Sequence, residues 1–244
     1  MNTALARRAS AEFAGTGLLV AAVVGSGIAA ARLSPHDVGL QLLENAIATA
    51  LALGALILTF GPVSGAHLNP VVSAVDWWLG RRTRTGLTGE ELAAYLVAQI
   101  AGAIAGAILA DVMFGLPAVA WSHTARSGGH LWLAEVVATA GLVVLIFALA
   151  RSGRTTVAPA AVGAYIGAAY WFTSSTSFAN PAVTIGRAFT DTFAGIAPAS
   201  VPGFVVAQLV GGLVATAALA WWYPTANRAA DQVVIPHHQE ATTP

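Results

Sequence analysis

The sequence predicts an all-α membrane protein with six transmembrane helices, two re-entrant half-helices and two inverted repeats. Three observations lead there: composition, the count and length of apolar runs, and two short apolar segments that each begin with Asn-Pro. Of the 244 residues, 57% are hydrophobic and 9% charged. Soluble domains carry about 25% charged residues, so a chain this apolar places much of its surface in lipid. The formal net charge is +0 and cysteine is absent. There is no electrostatic reason for a nucleic-acid partner. Disulfides, thiolate metal sites and cysteine nucleophiles are excluded.

A membrane-crossing helix needs roughly 20 mostly apolar residues. Six runs approach that length: Ala9–Ala31, Val38–Phe60, Leu92–Phe114, His130–Ala150, Val157–Phe172 and Val201–Tyr223. The first follows Arg7 and Arg8 as a signal peptide would, but it exceeds the usual ~7–15-residue signal core and contains Glu12. It reads as a retained helix. Arg7, Arg8, Arg81, Arg82, Arg84, Arg151, Arg154 and Arg228 fall on one side of a six-span chain, which has no lysine. The positive-inside rule then puts both termini in the cytoplasm of a multi-pass protein of the cell (inner) membrane. Trp77, Trp78, Trp221 and Trp222 fit interfacial belts. A channel domain is expected over residues 1–228, with a polar, disordered tail over 229–244 whose His237-His238 pair reads as solvated.

Two apolar segments, His67–Leu79 and Asn180–Phe193, are too short to cross. They carry Asn69-Pro70-Val71 and Asn180-Pro181-Ala182. Asn is a favoured N-cap, and Pro suits the first helical position because its missing N–H would lack a partner there anyway. Each segment is therefore read as a half-helix starting at its Asn. A lone Asn-Pro equally marks a surface turn; the internal repeat decides between the two. Glu12-Phe-Ala-Gly-Thr16 recurs as Glu135-Val-Val-Ala-Thr139, and Leu96-Val-Ala-Gln99 as Val205-Val-Ala-Gln208. With the Asn-Pro pairs these landmarks keep one order in two halves, about 9–114 and 130–223. Each half has three spans, so the second is inverted relative to the first. The two half-helices then meet near the bilayer midplane, and irregular backbone at that depth is tolerated where it lines a wet cavity.

Ser64-Gly65-Ala66-His67-Leu68-Asn69-Pro70 resembles the first signature of the aquaporin (major intrinsic protein) family, and Phe178-Ala179-Asn180-Pro181-Ala182 the second. The resemblance runs from Glu12 to about Tyr223. It implies a homotetramer in the lipid bilayer with one pore per subunit and no cofactor, passing water or small uncharged solutes passively. It implies that Asn69 and Asn180 face each other across the pore and donate to one passing water. The N-termini of both half-helices point inward, and each is worth roughly half a positive charge, so cations and hydronium are opposed.

Glu12 and Glu135 are intramembrane carboxylates, by default functional. They have two readings: a proton relay, which would make the protein a secondary transporter, or support of the inserted loops, which the family favours. Gln99 and Gln208 are assigned to the same support. Gly102–Gly106 and Gly163–Gly167 read as close helix packing. His67 either lines the pore or satisfies a loop carbonyl.

Water-selective members of the family place an arginine three residues past the second Asn. Here that position is Val183. Counting from the motifs gives Thr49, Ala168 and Ser177 as the other filter positions, a wide uncharged ring. Arg187, one turn beyond Val183, either serves the filter from outside or bonds loop carbonyls. The expected solutes therefore extend to glycerol, urea and neutral metalloid acids such as arsenous or boric acid. Among competing functions, a coupled transporter would need a carboxylate cluster. Besides Glu12 and Glu135, only Asp76 and Asp111 lie near membrane depth, close to helix ends. An enzyme is not expected, because His-Glu-x-x-His, Gly-x-Ser-x-Gly and cysteine are all absent.

Overall fold

The computed structural model describes residues 3–81 and 84–223. Residues 229–244, expected to form the tail, lie outside this range. Eight α-helices are described: α1 (Thr3–Leu33), α2 (Val38–Ser64), α3 (Pro70–Gly80), α4 (Gly89–Met113), α5 (Gly129–Arg151), α6 (Ala158–Phe172), α7 (Pro181–Gly186) and α8 (Val201–Trp222). No strand is found among the described residues. Local sequence sets the helix ends. Asp37 accepts from the Leu40 N–H at 2.9 Å to start α2. Thr88 and Glu91 form a reciprocal capping box at α4, satisfying two otherwise orphaned donors. Gly65, in the left-handed region at φ 87°, ends α2.

α1, α2, α4, α5 and α8 are long and apolar enough to cross a membrane. α6 has 15 residues, about 22 Å at ~1.5 Å per residue against ~30 Å of hydrocarbon. It stops at Phe172 because the chain must leave the helix early to descend into the core toward Asn180. The second half-helix is shorter than the expected Asn180–Phe193. α7 has six residues and gives way to a 3-10 turn over Arg187–Phe189. Two contacts explain that. Gly186 is pressed so close to α4 that a Cβ there would lie 2.6 Å from the Ala103 carbonyl oxygen. Just beyond, the Thr190 hydroxyl donates to Asp111 Oδ1 at 2.8 Å and draws the chain toward the end of α4.

In lipid the hydrophobic effect does not press helices together, so close packing has to. α1 packs on α2 and α4, α5 on α8, and α2 on α6. The α1–α4 contact depends on missing side chains. A Cβ on Gly102 would sit 2.2 Å from the Phe13 oxygen, and one on Gly106 2.0 Å from the Gly17 oxygen. Gly163 approaches the Ala50 oxygen of α2 in the same way. The small-residue motifs are thus spent within the subunit.

The connection between α4 and α5 crosses the mouth and pairs with the segment after α7. Ala120 and Ser122 donate to the Phe189 and Ala188 carbonyls, and Ala197 to that of Thr124. His123 closes this clip, its N–H donating to Asp191 Oδ1 at 2.9 Å and its Nδ1 lying 2.8 Å from Oδ2. These bonds, the His123 backbone N–H first, hold the Asp191 carboxyl below its usual range.

Gly106→Val should lower the unfolding midpoint of detergent-solubilised protein by overpacking worth about 1–3 kcal/mol, while Ala105→Val, on the exposed side of the same turn, should leave it nearly unchanged. The clip carries a second expectation. Because the folded Asp191 value is depressed, its contribution is complete above roughly pH 4 and disappears as pH falls through the folded value. Protease susceptibility of the outer loops should therefore rise below about pH 4 in the native protein, and Asp191→Asn should show it already at neutral pH.

Candidate functional site

The centre of the molecule is built from two loops that enter from opposite faces and end at Asn69 and Asn180. Each Asn caps its own half-helix. The Val71 N–H donates to Asn69 Oδ1 at 2.9 Å, and those of Ala182 and Val183 donate to Asn180 Oδ1 at 3.0 and 3.3 Å. With both oxygens so occupied, the amide nitrogens reach across. Asn69 Nδ2 donates to the Ala179 carbonyl at 2.8 Å, and Asn180 Nδ2 to that of Leu68 at 2.7 Å. The exchange is reciprocal, as a pseudo-twofold axis between the loops requires.

The approach to each Asn is strained. Ala66 and Leu68 have φ of 48° and 50°, and Ser177 and Ala179 have 50° and 48°. Residues with a Cβ rarely adopt this left-handed conformation, and each instance costs about 1–3 kcal/mol. Two buried carboxylates hold the geometry. Glu12 Oε1 accepts from the Ser64 hydroxyl at 2.6 Å and the His67 N–H at 3.0 Å. Its Oε2 accepts from the Leu68 N–H at 2.7 Å and Gln99 Nε2 at 2.8 Å. Glu135 repeats the pattern with Ser175, Phe178, Ala179 and Gln208 at 2.6, 2.9, 2.8 and 2.6 Å. The glutamines also donate to the first turns of the half-helices, Gln99 to Ser73 and Gln208 to Thr184. Four donors on each carboxylate satisfy a charge that would otherwise be prohibitive at this depth.

A cavity runs through the loops. Its wall takes one stripe from each surrounding helix at a spacing of four: Leu19 and Val23 on α1, Thr49, Leu53 and Ile57 on α2, Leu142 and Ile146 on α5, and Val162, Ile166 and Tyr170 on α6. The loops add His67, Asn69, Phe178, Asn180 and the group Ser177, Val183 and Arg187. Of the filter residues expected from sequence, Thr49, Ser177, Val183 and Arg187 are in the wall. Ala168 is not. It is exposed on the outside of α6, because two residues past Ile166 turn the helix by about 200°. Tyr170 stands there instead, in register with Val162 and Ile166, its hydroxyl 3.2 Å from Thr49 Oγ1.

His67 is in the wall, and its Nδ1 lies 3.1 Å from the Ser73 hydroxyl. Arg187 is buried. Its Nε donates to the Ala194 carbonyl and its Cζ lies 3.5 Å from the Phe178 ring centroid. It therefore both bonds a loop carbonyl and faces the cavity. Asp76 accepts from the Leu87 N–H at 2.7 Å, and Asp111 accepts from Thr190. Among the described residues no carboxylate is in the wall, since Glu12 and Glu135 sit behind the loops they hold. Tyr170 and Ser175 were not singled out from sequence, and Ser64 appeared there only as part of the first motif, with no role of its own. The four-residue stripe would have found the first, and the shared offset from each Asn the other two.

Comparison with known proteins agrees with this architecture. A family described as "Major intrinsic protein" matches residues 1–177. The chain is 54% identical over 217 residues to Aquaglyceroporin AqpS of Rhizobium meliloti (strain 1021), covering 89% of this chain and 90% of that protein. It is 33% identical to the Glycerol uptake facilitator protein of Pseudomonas aeruginosa over 79% of this chain and 77% of the relative. With the Probable aquaporin AqpM of Archaeoglobus fulgidus it shares 31% identity over 91% and 98%. The X-ray structure of the aquaglyceroporin from Plasmodium falciparum superposes with a TM-score of 0.66 at 21% identity, over 92% of this chain and 99% of that one, a likeness of fold. The resemblance read from the two Asn-Pro motifs thus holds across the chain, which belongs to the major intrinsic protein family.

Proposed function

We propose that this protein is a channel of aquaglyceroporin character, passing small uncharged polyhydroxy solutes as well as water. The channel class follows from the family: passive passage of water and glycerol or other small solutes. The observation that carries the finer reading is the composition of the outer wall. Val183 occupies the position where water-selective members carry arginine, and Tyr170, Phe178, Thr49, Ser177 and Arg187 line the same cavity. Such a ring is amphipathic. The carbon skeleton of glycerol lies against Tyr170, Phe178 and Val183, while its hydroxyls meet Thr49, Ser177 and the Arg187 guanidinium. Urea and the trihydroxy acids of boron and trivalent arsenic present a similar polar rim and fall in the same class. With Tyr170 replacing Ala168, the ring is narrower than sequence counting suggested, so selection acts on donors and aromatic faces more than on width.

Asn69 and Asn180 keep protons out in this reading. Their amide nitrogens sit at the two N-termini, where both half-helix dipoles are positive. A water there accepts from both and points its hydrogens outward, which breaks a proton-conducting chain. A cation meets the same field while stripped of water. Four-donor satisfaction of Glu12 and Glu135, and their position behind the wall, support loop holding over a proton relay. The arginine distribution supports both termini in the cytoplasm of the cell membrane, and the family supports a homotetramer.

Stopped-flow light scattering on proteoliposomes tests the reading. Glycerol and urea should re-enter shrunken vesicles well above the rate of empty liposomes; fast shrinkage with no re-entry would reduce the protein to a water channel. Val183→Arg should cut glycerol uptake at least about tenfold, equivalent to about 1.4 kcal/mol at the barrier, with water flow reduced far less. Equal loss of both would show that Val183 is not at the selecting point. Glu135→Ala removes the common acceptor of four donors and should cost about 3–5 kcal/mol, the scale seen when one partner of a buried charged network is deleted, read as a lower unfolding midpoint with loss of flux.

A further inference from the structure

The outer mouth holds two cations, and a neutral solute needs only the donors of one of them, not the charge of both. Arg126, in the connection between α4 and α5, and Arg187, just past α7, both lie over the Phe178 ring, with Cζ at 5.2 and 3.5 Å from its centroid. Each directs Nε to a carbonyl of the same short turn, Arg187 to Ala194 and Arg126 to Gly195. No carboxylate forms an ion pair with either; among the described residues the ion pairs are Arg8–Glu91 and His123–Asp191. Arg187 is 3% exposed and stands in the cavity wall, and among the described residues its terminal nitrogens have no acceptor. Ser177, in the same wall, carries a buried hydroxyl without a partner. Like charges fixed close together with donors to spare favour an anion, because a buried cation without a close counter-ion carries a desolvation cost.

We propose that the outer mouth is a binding site for a small oxyanion. The anion is held by the terminal N–H groups of Arg187 and the Ser177 hydroxyl, within the field of Arg126, and while bound it occludes solute passage. A planar or tetrahedral oxyanion matches the guanidinium fork with two parallel hydrogen bonds. The same cavity wall carries Leu53, Ile57, Leu142, Ile146, Val162 and Ile166, apolar side chains that do not replace an anion's hydration shell. The occlusion rests on the channel reading given above; the binding does not.

Nitrate is the probe, exchanged against gluconate at constant ionic strength and neutral pH. Calorimetric titration of nitrate into the purified full chain should show saturable binding. Arg187→Gln should weaken it at least about tenfold, the loss of a charge-assisted pair, and Arg126→Gln roughly threefold through the field alone. In proteoliposomes nitrate should slow glycerol uptake along the same saturation curve, and Arg187→Gln should remove that inhibition. Absence of saturable heat in the native protein, or binding unchanged in both variants, overturns the site. If Arg187→Gln does not fold, the native titration and Arg126→Gln still decide. Binding without any effect on glycerol uptake overturns occlusion alone. No glycerol uptake even in gluconate refutes the channel reading instead, and calorimetry still judges the anion site.

Discussion

The two loops at the centre of the fold depend on two carboxylates that stand behind the cavity wall. Glu12 and Glu135 each gather one hydroxyl, two backbone N–H groups and one glutamine amide. Those backbone groups belong to residues in or beside left-handed conformations that alanine, leucine and serine avoid. Without an acceptor behind them the loops would relax, and Asn69 and Asn180 would lose their meeting point. A neutral glutamine in place of either glutamate could not serve equally well. One of its terminal atoms is a donor, facing groups that are themselves donors. A charge at this depth is tolerable because its four lone-pair sites are filled by fixed partners. Those same partners bind α1 and α5, which carry the glutamates, to α4 and α8, which carry the glutamines.

Duplication explains why one solution serves both ends. The loop residues from Ser64 to Ser73 find equivalents from Ser175 to Thr184 at the same spacing as the two asparagines, and the bonds made by Glu12, Gln99 and Asn69 have counterparts at Glu135, Gln208 and Asn180. The halves differ where they face different media. The first half-helix runs to Gly80 and ends against the connection to α4, which Asp76 fastens through the Leu87 N–H. The second stops at Gly186, and its continuation supplies the mouth with Arg187, Ala194 and Gly195. A shorter α7 leaves length for a pore lining, and that lining makes the two mouths chemically unlike.

Much of this was legible in the sequence, for identifiable reasons. The Asn-Pro pairs announce helix starts in any context, because capping and proline geometry are local. Repetition of Glu, Asn-Pro and Gln in one order requires inversion once the spans are counted as three and three. The glutamates were legible because a buried charge at membrane depth needs partners. Sequence counting failed at Ala168, where a fixed distance from Asn180 ignored the length of chain used in the descent from Phe172. The i, i+4 stripe of Val162 and Ile166 points to Tyr170, because helical register is rigid where loop length is not. Arg126 gave no signal at all, since its neighbourhood depends on how one loop crosses another. The extent of α7 was equally hidden, being set by contact with α4 and by Thr190 on Asp111.

In the proposed channel, Arg187 keeps a cation in the cavity wall although the position three residues past Asn180 is Val183. Placed three residues past Asn180, an arginine would project into the cavity where Val183 now lines it, as the water-selective members of the family are built. Valine at that position clears the path, and the cation one helical turn outward is held flat against Phe178 by its own Nε bond to Ala194. Stacking on an aromatic face keeps the guanidinium from swinging inward, while its edge still offers donors. Solutes with several hydroxyls benefit most, since each donor left idle by a smaller molecule is a desolvated group without a partner. In the proposed channel the arrangement favours solutes that can satisfy the ring, and the second cation at Arg126 adds modestly, through its field, to the anion affinity proposed for Arg187.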